Sequence, residues 1–113
     1  IREVREETGL TIGNIGKLAY LTQLDNQAEN IQSLASIFLV DDWTGTLQSA
    51  DPDSLVTGTA FFSTKEAILK LASLPWRHMC EPAMAYLQRR ATAGTMWLYR
   101  QGHDGTQQLV TRL

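Results

Sequence analysis

Cysteine is nearly absent from this sequence, and basic residues are absent from its middle. Cys80 is the sole cysteine among 113 residues. No disulfide can therefore close within the chain, which fits a reducing, cytoplasmic setting. No apolar run approaches the roughly 18 residues that a membrane span requires. Hydrophobic residues make up 43% and charged residues 19%, a balance that excludes a disordered chain and suits one globular domain. The net charge is only -2, so no stable nucleic-acid partner and no membrane association are expected. From Leu18 to Thr64 there is no Lys or Arg, while Asp25, Glu29, Asp41, Asp42, Asp51 and Asp53 all fall in that stretch. From Lys65 onward seven basic residues face three acidic ones. Such a layout suits a metal-bound phosphate ligand and describes solvated loops equally well.

Punctuation along the chain predicts a mixed α/β order. Arg2 to Thr8 reads as the last turns of a helix, with Gly9 as its left-handed stop and Leu10 as the apolar residue that folds back. Because the chain opens at Ile1 inside this element, an upstream piece is expected. Ile12 to Leu24 looks extended, broken at Gly13 and Gly16. Ser33 to Val40 is the strongest strand signal and ends at a turn, Asp41-Asp42, with a loop beyond it. Leu55 to Phe62 reads as another strand, with Gly58 as a close-packing or bulge position. Ser63 with Glu66 forms a capping-box pattern for a helix whose apolar face is Ile68, Leu69, Leu71, Ala72 and Leu74, ended by Pro75. A further helix is expected from Glu81-Pro82 to about Arg90, Pro82 in its first turn, with Met84, Ala85 and Leu87 toward the core and Gly94 as breaker. Thr95 to Arg100 and Gln107 to Leu113 read as a hairpin around His103-Asp104-Gly105. One α/β (α+β) domain spanning residues 1–113 is expected.

The segment that bears chemistry is Arg2-Glu3-Val4-Arg5-Glu6-Glu7-Thr8-Gly9-Leu10. On a helix Glu6 and Glu7 fall to either side of Glu3, one turn on, so the three carboxylates occupy one sector. Val4 lies beyond its edge and can anchor the helix. Arg2 can pair with Glu6, or leave the helix to orient Glu3. Like charges one turn apart destabilise a helix by about 0.2–0.5 kcal/mol per pair. A divalent cation reverses that sign, and Mg2+ favours carboxylate oxygens with water and phosphate completing an octahedron. An exposed, charged helix end has the same spacing.

Residues 2–10 resemble the second half of the Nudix box, R-E-U-x-E-E-x-G-U with U a bulky aliphatic. Arg2, Glu3, Val4, Glu6, Glu7, Gly9 and Leu10 match every fixed position. Ala60 to Ala67 resembles the strand-into-helix step of MutT-like Nudix domains, and Trp76 to Leu87 their C-terminal helix region. The box should open upstream with a Gly and a further Glu, at positions that would fall before Ile1 and so are not in this sequence. The resemblance implies a Nudix-type α/β/α sandwich with a mixed sheet, its N-terminal part missing. It also implies a Mg2+-dependent (or Mn2+-dependent) pyrophosphatase that cleaves a nucleoside diphosphate linked to another moiety. Glu6 and Glu7 would be metal ligands, Glu3 a ligand or base, and Arg2 the group that orients Glu3. An acidic residue outside the box often assists in this family; Asp41, Asp42, Asp51 and Asp53 are the candidates. The partner would be a small nucleotide-type molecule, and a homodimer through the final hairpin is compatible. The alternative is a catalytically inactive Nudix-fold module that binds nucleotides or regulates.

Three other groups invite a chemical reading. His78 and Cys80 lack the further ligands a zinc site needs, since only His103 remains. Trp43, Trp76 and Trp97 can stack on a base or pack in a core, with Trp43, at a strand end, the best placed for a ligand. Arg89-Arg90 suits phosphate or a solvated helix end.

Overall fold

The computed structural model describes residues 2–48 and 58–113. Among the described residues, six strands and three helices follow the order α1 (Arg2–Thr8), β1 (Leu10–Asn14), β2 (Leu18–Asn26), β3 (Ile31–Phe38), β4 (Asp42–Gly45), α2 (Thr64–Ala72), α3 (Arg77–Leu87), β5 (Thr95–Gln101), β6 (Gln107–Arg112). The chain divides into two compact units, one of Ile1–Lys17 with Leu39–Phe62 and one of Leu18–Phe38 with Ser63–Leu113. The expected α+β class holds: the second unit carries a four-stranded mixed sheet in the order β3-β2-β5-β6. Within it only β2 and β5 run parallel.

Alternation builds the core of that unit. Thr22 and Leu24 of β2 stand beside Trp97 and Tyr99 of β5 in the parallel register. All four are buried, and Ala85 of α3 closes over the cluster that Leu24, Trp97 and Tyr99 form. Residues two apart share a sheet face, so the buried positions recur with the strand period. Burial also pushes the Tyr99 phenol well above its ordinary value, which keeps it neutral. β3 is different. It holds the edge, and all eight of its residues are exposed, Leu34 at 64%. Its strongly apolar run was legible as a strand, but it begins two residues earlier than expected, after Asn30 turns left-handed.

The helix boundaries depart from the sequence expectation in instructive ways. Ser63 caps α2 as predicted: its hydroxyl accepts from the Glu66 N–H at 3.2 Å and donates to Glu66 Oε1 at 3.0 Å. The helix stops at Ala72, ahead of Pro75, yet none of its residues is fully buried and Leu69 is 65% exposed. Pro82 does not open α3. The helix starts at Arg77, and Pro82 lies inside it, fully buried. A proline there removes one intrahelical bond, a loss of about 3 kcal/mol or more in an ordinary helix. Here the ring instead fills the interior.

Two devices hold the ends of α3. Trp76, at the N-cap, offers no side-chain bond. Gln107 of β6 supplies it instead: its Oε1 accepts from the His78 backbone N–H at 3.1 Å and lies 3.0 Å from His78 Nδ1. Its Nε2 donates to Gln101 Oε1, and its carbonyl accepts from Arg77. At the other end the helix stops at Leu87, before the expected Arg90. Arg89 turns left-handed with φ 58°. The Arg90 N–H then reaches the Ala85 carbonyl at 2.8 Å and the Arg89 N–H that of Tyr86 at 3.1 Å. This is a Schellman closure with arginine where glycine is usual; Gly94 plays no part in it.

Two outcomes test these ends. Gln107→Ala should lower stability by about 1 kcal/mol, the typical loss of a capping acceptor, read as a lower urea midpoint with an unchanged slope. Arg89→Gly should raise it by about 1 kcal/mol, by relieving a left-handed side-chain conformation; an unchanged or lower midpoint would contradict the strain.

Candidate functional site

The first unit is built on two glycines. α1 ends when the Gly9 N–H bonds the Arg5 carbonyl at 2.8 Å and Gly9 adopts φ 80°. Thr8 reinforces the stop. Its hydroxyl donates to the Val4 carbonyl at 2.6 Å and accepts from the Leu10 N–H at 3.1 Å. The chain then enters β1, which pairs antiparallel with β4, Leu10 opposite Gly45. A side chain on Gly9 would stand 2.5 Å from the Thr46 carbonyl oxygen and 2.9 Å from the Gln48 nitrogen. Gly45, at φ 102°, would meet the Gly9 carbonyl at 2.7 Å. Gly45 thus makes room for the Gly9 backbone and Gly9 for the Thr46–Gln48 backbone, and the Gln48 N–H bonds the Thr8 carbonyl at 2.7 Å. The Asp42–Gly45 segment, expected as a loop, is a strand because of this pairing.

α1 places the motif as its spacing predicts, on one short helix with Glu3 in the first turn. Arg2 and Glu3 are exposed, while Val4, Glu6 and Glu7 are half-buried. Of the two partners open to Arg2, the structure joins it to Glu6: Nη1 donates to Oε1 at 2.9 Å. The resemblance implied Glu3. Such an exposed pair one turn apart contributes about 0.3–0.5 kcal/mol, too little to fix Glu6 permanently. The carboxylates share a sector but do not converge. Among the described residues no three Asp, Glu, His or Cys side chains gather closely enough to hold a metal ion. Donor chemistry in α1 suits Mg2+; the present side-chain arrangement does not fit it.

The other sequence candidates separate. Asp42 opens β4, and its Oδ2 accepts from Asn14 Nδ2 at 2.9 Å, tying the two strands. Asp41 is exposed in the preceding loop. Asp51 and Asp53 lie outside the described residues, as does the first part of the expected Leu55–Phe62 strand. Residues 58–62 form no strand. A side chain on Gly58 would touch nothing within 4 Å, so that glycine is neither a close-packing position nor a bulge. Trp97 is core, and Trp76 is an exposed helix cap. Cys80 is buried, with its thiol 3.8 Å from the Arg77 carbonyl, and His78 is engaged by Gln107, so neither is set up as a ligand. Arg90 bonds Gln88 at 2.6 Å.

A groove that sequence reading did not anticipate opens at the C-terminal end of α1. It encloses about 590 Å³, and its lining includes Thr8, Leu10, Leu47, Ala60, Phe61 and Phe62. Phe61 also contacts Trp43, which does not line the groove, with ring centroids 5.2 Å apart and planes tilted by 32°. Both residues are about half exposed, Phe61 at 60% and Trp43 at 44%. Trp43 is the tryptophan that its strand-end position in the sequence favours for a ligand; Phe61 falls in a stretch whose pattern reads as a strand.

With this geometry in hand, comparison with known proteins yields a fold. No family model matches the chain, and no match appears among curated proteins. Among solved structures, a mutator MutT protein from Bacillus halodurans is similar, with a TM-score of 0.64 and 16% sequence identity. The match covers 99% of this chain and 68% of that one. The chain therefore has a fold similar to that of a MutT (Nudix) protein, in agreement with the fold that residues 2–10 implied. Among the described residues, no helix is long and apolar enough to cross a membrane.

Replacing Gly9 tests the backbone beneath the site. Gly9→Ala should cost at least about 2 kcal/mol, from a left-handed alanine and its clash with the Thr46 carbonyl. Hydrogen exchange should report it as lost protection in β1 and β4; protection equal to the parent's would show that the close approach is not required.

Proposed function

We propose that this chain acts as a Nudix-type hydrolase that cleaves the phosphoanhydride bond of a nucleoside diphosphate linked to another group, with Mg2+ as cofactor. One observation carries this reading. A nine-residue segment that matches the fixed positions of a Nudix half-box folds as the motif requires, helix then left-handed glycine then strand, within a MutT-like fold.

Mg2+, when bound in such enzymes, neutralises the diphosphate and polarises the attacked phosphorus. The side chains of this chain would do the rest. Glu3, Glu6 and Glu7 supply carboxylates of a type that holds a hard cation or polarises water. To act together they must turn toward one another, and Glu6 must leave Arg2. That rearrangement is modest: a surface pair of about 0.3–0.5 kcal/mol is given up, and repulsion of about 0.2–0.5 kcal/mol per neighbouring pair is met. Arg2, once free, is within one turn of Glu3 on its own helix. Gly9 and the strand pairing behind it hold the helix end fixed while the side chains move.

The second reading is an inactive Nudix-fold module that binds nucleotides. It is favoured by the Arg2–Glu6 pair and by carboxylates that stand apart.

Incubation of the protein with nucleotide sugars, dinucleotides and ADP-ribose in Mg2+ separates the two. Hydrolysis of at least one, abolished by EDTA and lowered about 100-fold or more by Glu7→Gln in a folded variant, is the expected result. Failure to cleave any of them would support the binding module, and full activity in Glu7→Gln would take that residue out of the mechanism.

A further inference from the structure

The second unit gathers positive charge toward the end of the chain. Between Pro82 and Leu113 stand four arginines and one acidic residue, Asp104. Two of those arginines, Arg90 after α3 and Arg112 at the end of β6, line one cavity of about 270 Å³ with Ala91, Thr92, Thr95 and Leu113. Among the described residues neither arginine is in an ion pair. Two like charges that share a small cavity repel, and an anion between them reverses the sign.

The loop beneath the cavity is fastened. The left-handed turn at Arg89 leads the chain out of α3. The Gly94 N–H then bonds the Ala19 carbonyl of β2 at 2.9 Å, and the Thr95 hydroxyl donates to the Thr92 carbonyl at 2.7 Å. Both guanidinium groups are oriented as well. That of Arg112 lies over the Trp97 ring, 5.1 Å from its centroid. Arg90 donates through Nε to Gln88, which leaves its two terminal amino groups for another partner. The backbone adds donors of its own. Ala91 and Thr92 both line the cavity, and among the described residues neither N–H has a hydrogen-bond partner. Successive amides of this kind suit an anion.

From these observations we infer that the cavity is a binding site for a phosphate group, held by Arg90 and Arg112 with the Ala91 and Thr92 amides as further donors. Guanidinium forks match phosphate oxygens in pairs. A dianion answers both arginines, whereas a carboxylate would leave one positive charge unmatched. The site belongs wholly to the second unit and does not rest on the hydrolase reading.

The test titrates the whole chain with inorganic phosphate in EDTA and a chloride buffer, read by amide NMR and calorimetry. The Ala91 and Thr92 amide signals should move and saturate together. Acetate should bind at least about fivefold more weakly than phosphate, since it lacks the second charge. Arg90→Gln and Arg112→Gln should each weaken phosphate binding about fivefold, the scale of an exposed charge pair. Arg100→Gln, which removes a β5 arginine outside the cavity, should leave it unchanged. Arg112→Gln also gives up the contact with Trp97, so the exposed Arg90 decides if that variant unfolds in a urea titration. Ribose 5-phosphate separates two sources of the same group: tighter binding than phosphate assigns the cavity to a phosphate monoester, and weaker binding to the free ion. Amide signals that stay still would overturn the proposal. So would acetate bound as tightly as phosphate, a folded Arg90→Gln that binds as the parent does, or an equal loss in Arg100→Gln.

Discussion

The close passage of two backbones at Gly9 and Gly45 is the constraint on which the first unit depends. Both residues are left-handed; Gly45 stands where the Gly9 backbone, and Gly9 where the Thr46–Gln48 backbone, leaves no room for a side chain. The contact ends α1, opens β1 and aligns β4, all within a few residues. Its consequence is mechanical. A seven-residue helix with no buried residue has little intrinsic stability. It is held by what its C-terminal end grips, the Thr8 hydroxyl and the Gln48 amide. The acidic side chains therefore project from a poorly buried element with a firmly tied end, free in rotamer and fixed in origin.

The second unit follows a different logic. Its stability comes from side-chain burial across a parallel strand pair, with Trp97 and Tyr99 against Leu24 and Ala85. No binding or catalytic role is assigned to these residues. They form a scaffold, and the polar links around Gln107 knit the helix above to the hairpin below.

How much could be read in advance depended on whether a signal was local. The α1 helix, its glycine stop and the Ser63 cap were legible because each is fixed by residues within four positions of one another. The final hairpin was legible from its turn residues. β4 was not, since its four residues become a strand only by pairing with β1, 28 positions away at Asn14 and Asp42. Pro82 misled for a related reason: proline usually opens a helix, and only burial in the folded unit compensates for its place inside one. At the site, the acidic sector could be deduced from helical period, but the direction of each carboxylate could not, because rotamers are set by neighbours such as Arg2. The groove was invisible, as it joins Thr8 and Leu10 to residues 50 positions later in a stretch that lacks regular structure.

The remote cap on α3 bears on how the chain acquires its structure. A ribosome releases Arg77 and His78 well before Gln107, so the nascent helix emerges with its first amides unsupported. Only when β6 has registered against β5 does the Gln107 side-chain oxygen arrive. Helix and hairpin are thus bound to mature in one cooperative step once Gln107 has emerged, and a chain stalled before it would present α3 with its leading turn frayed.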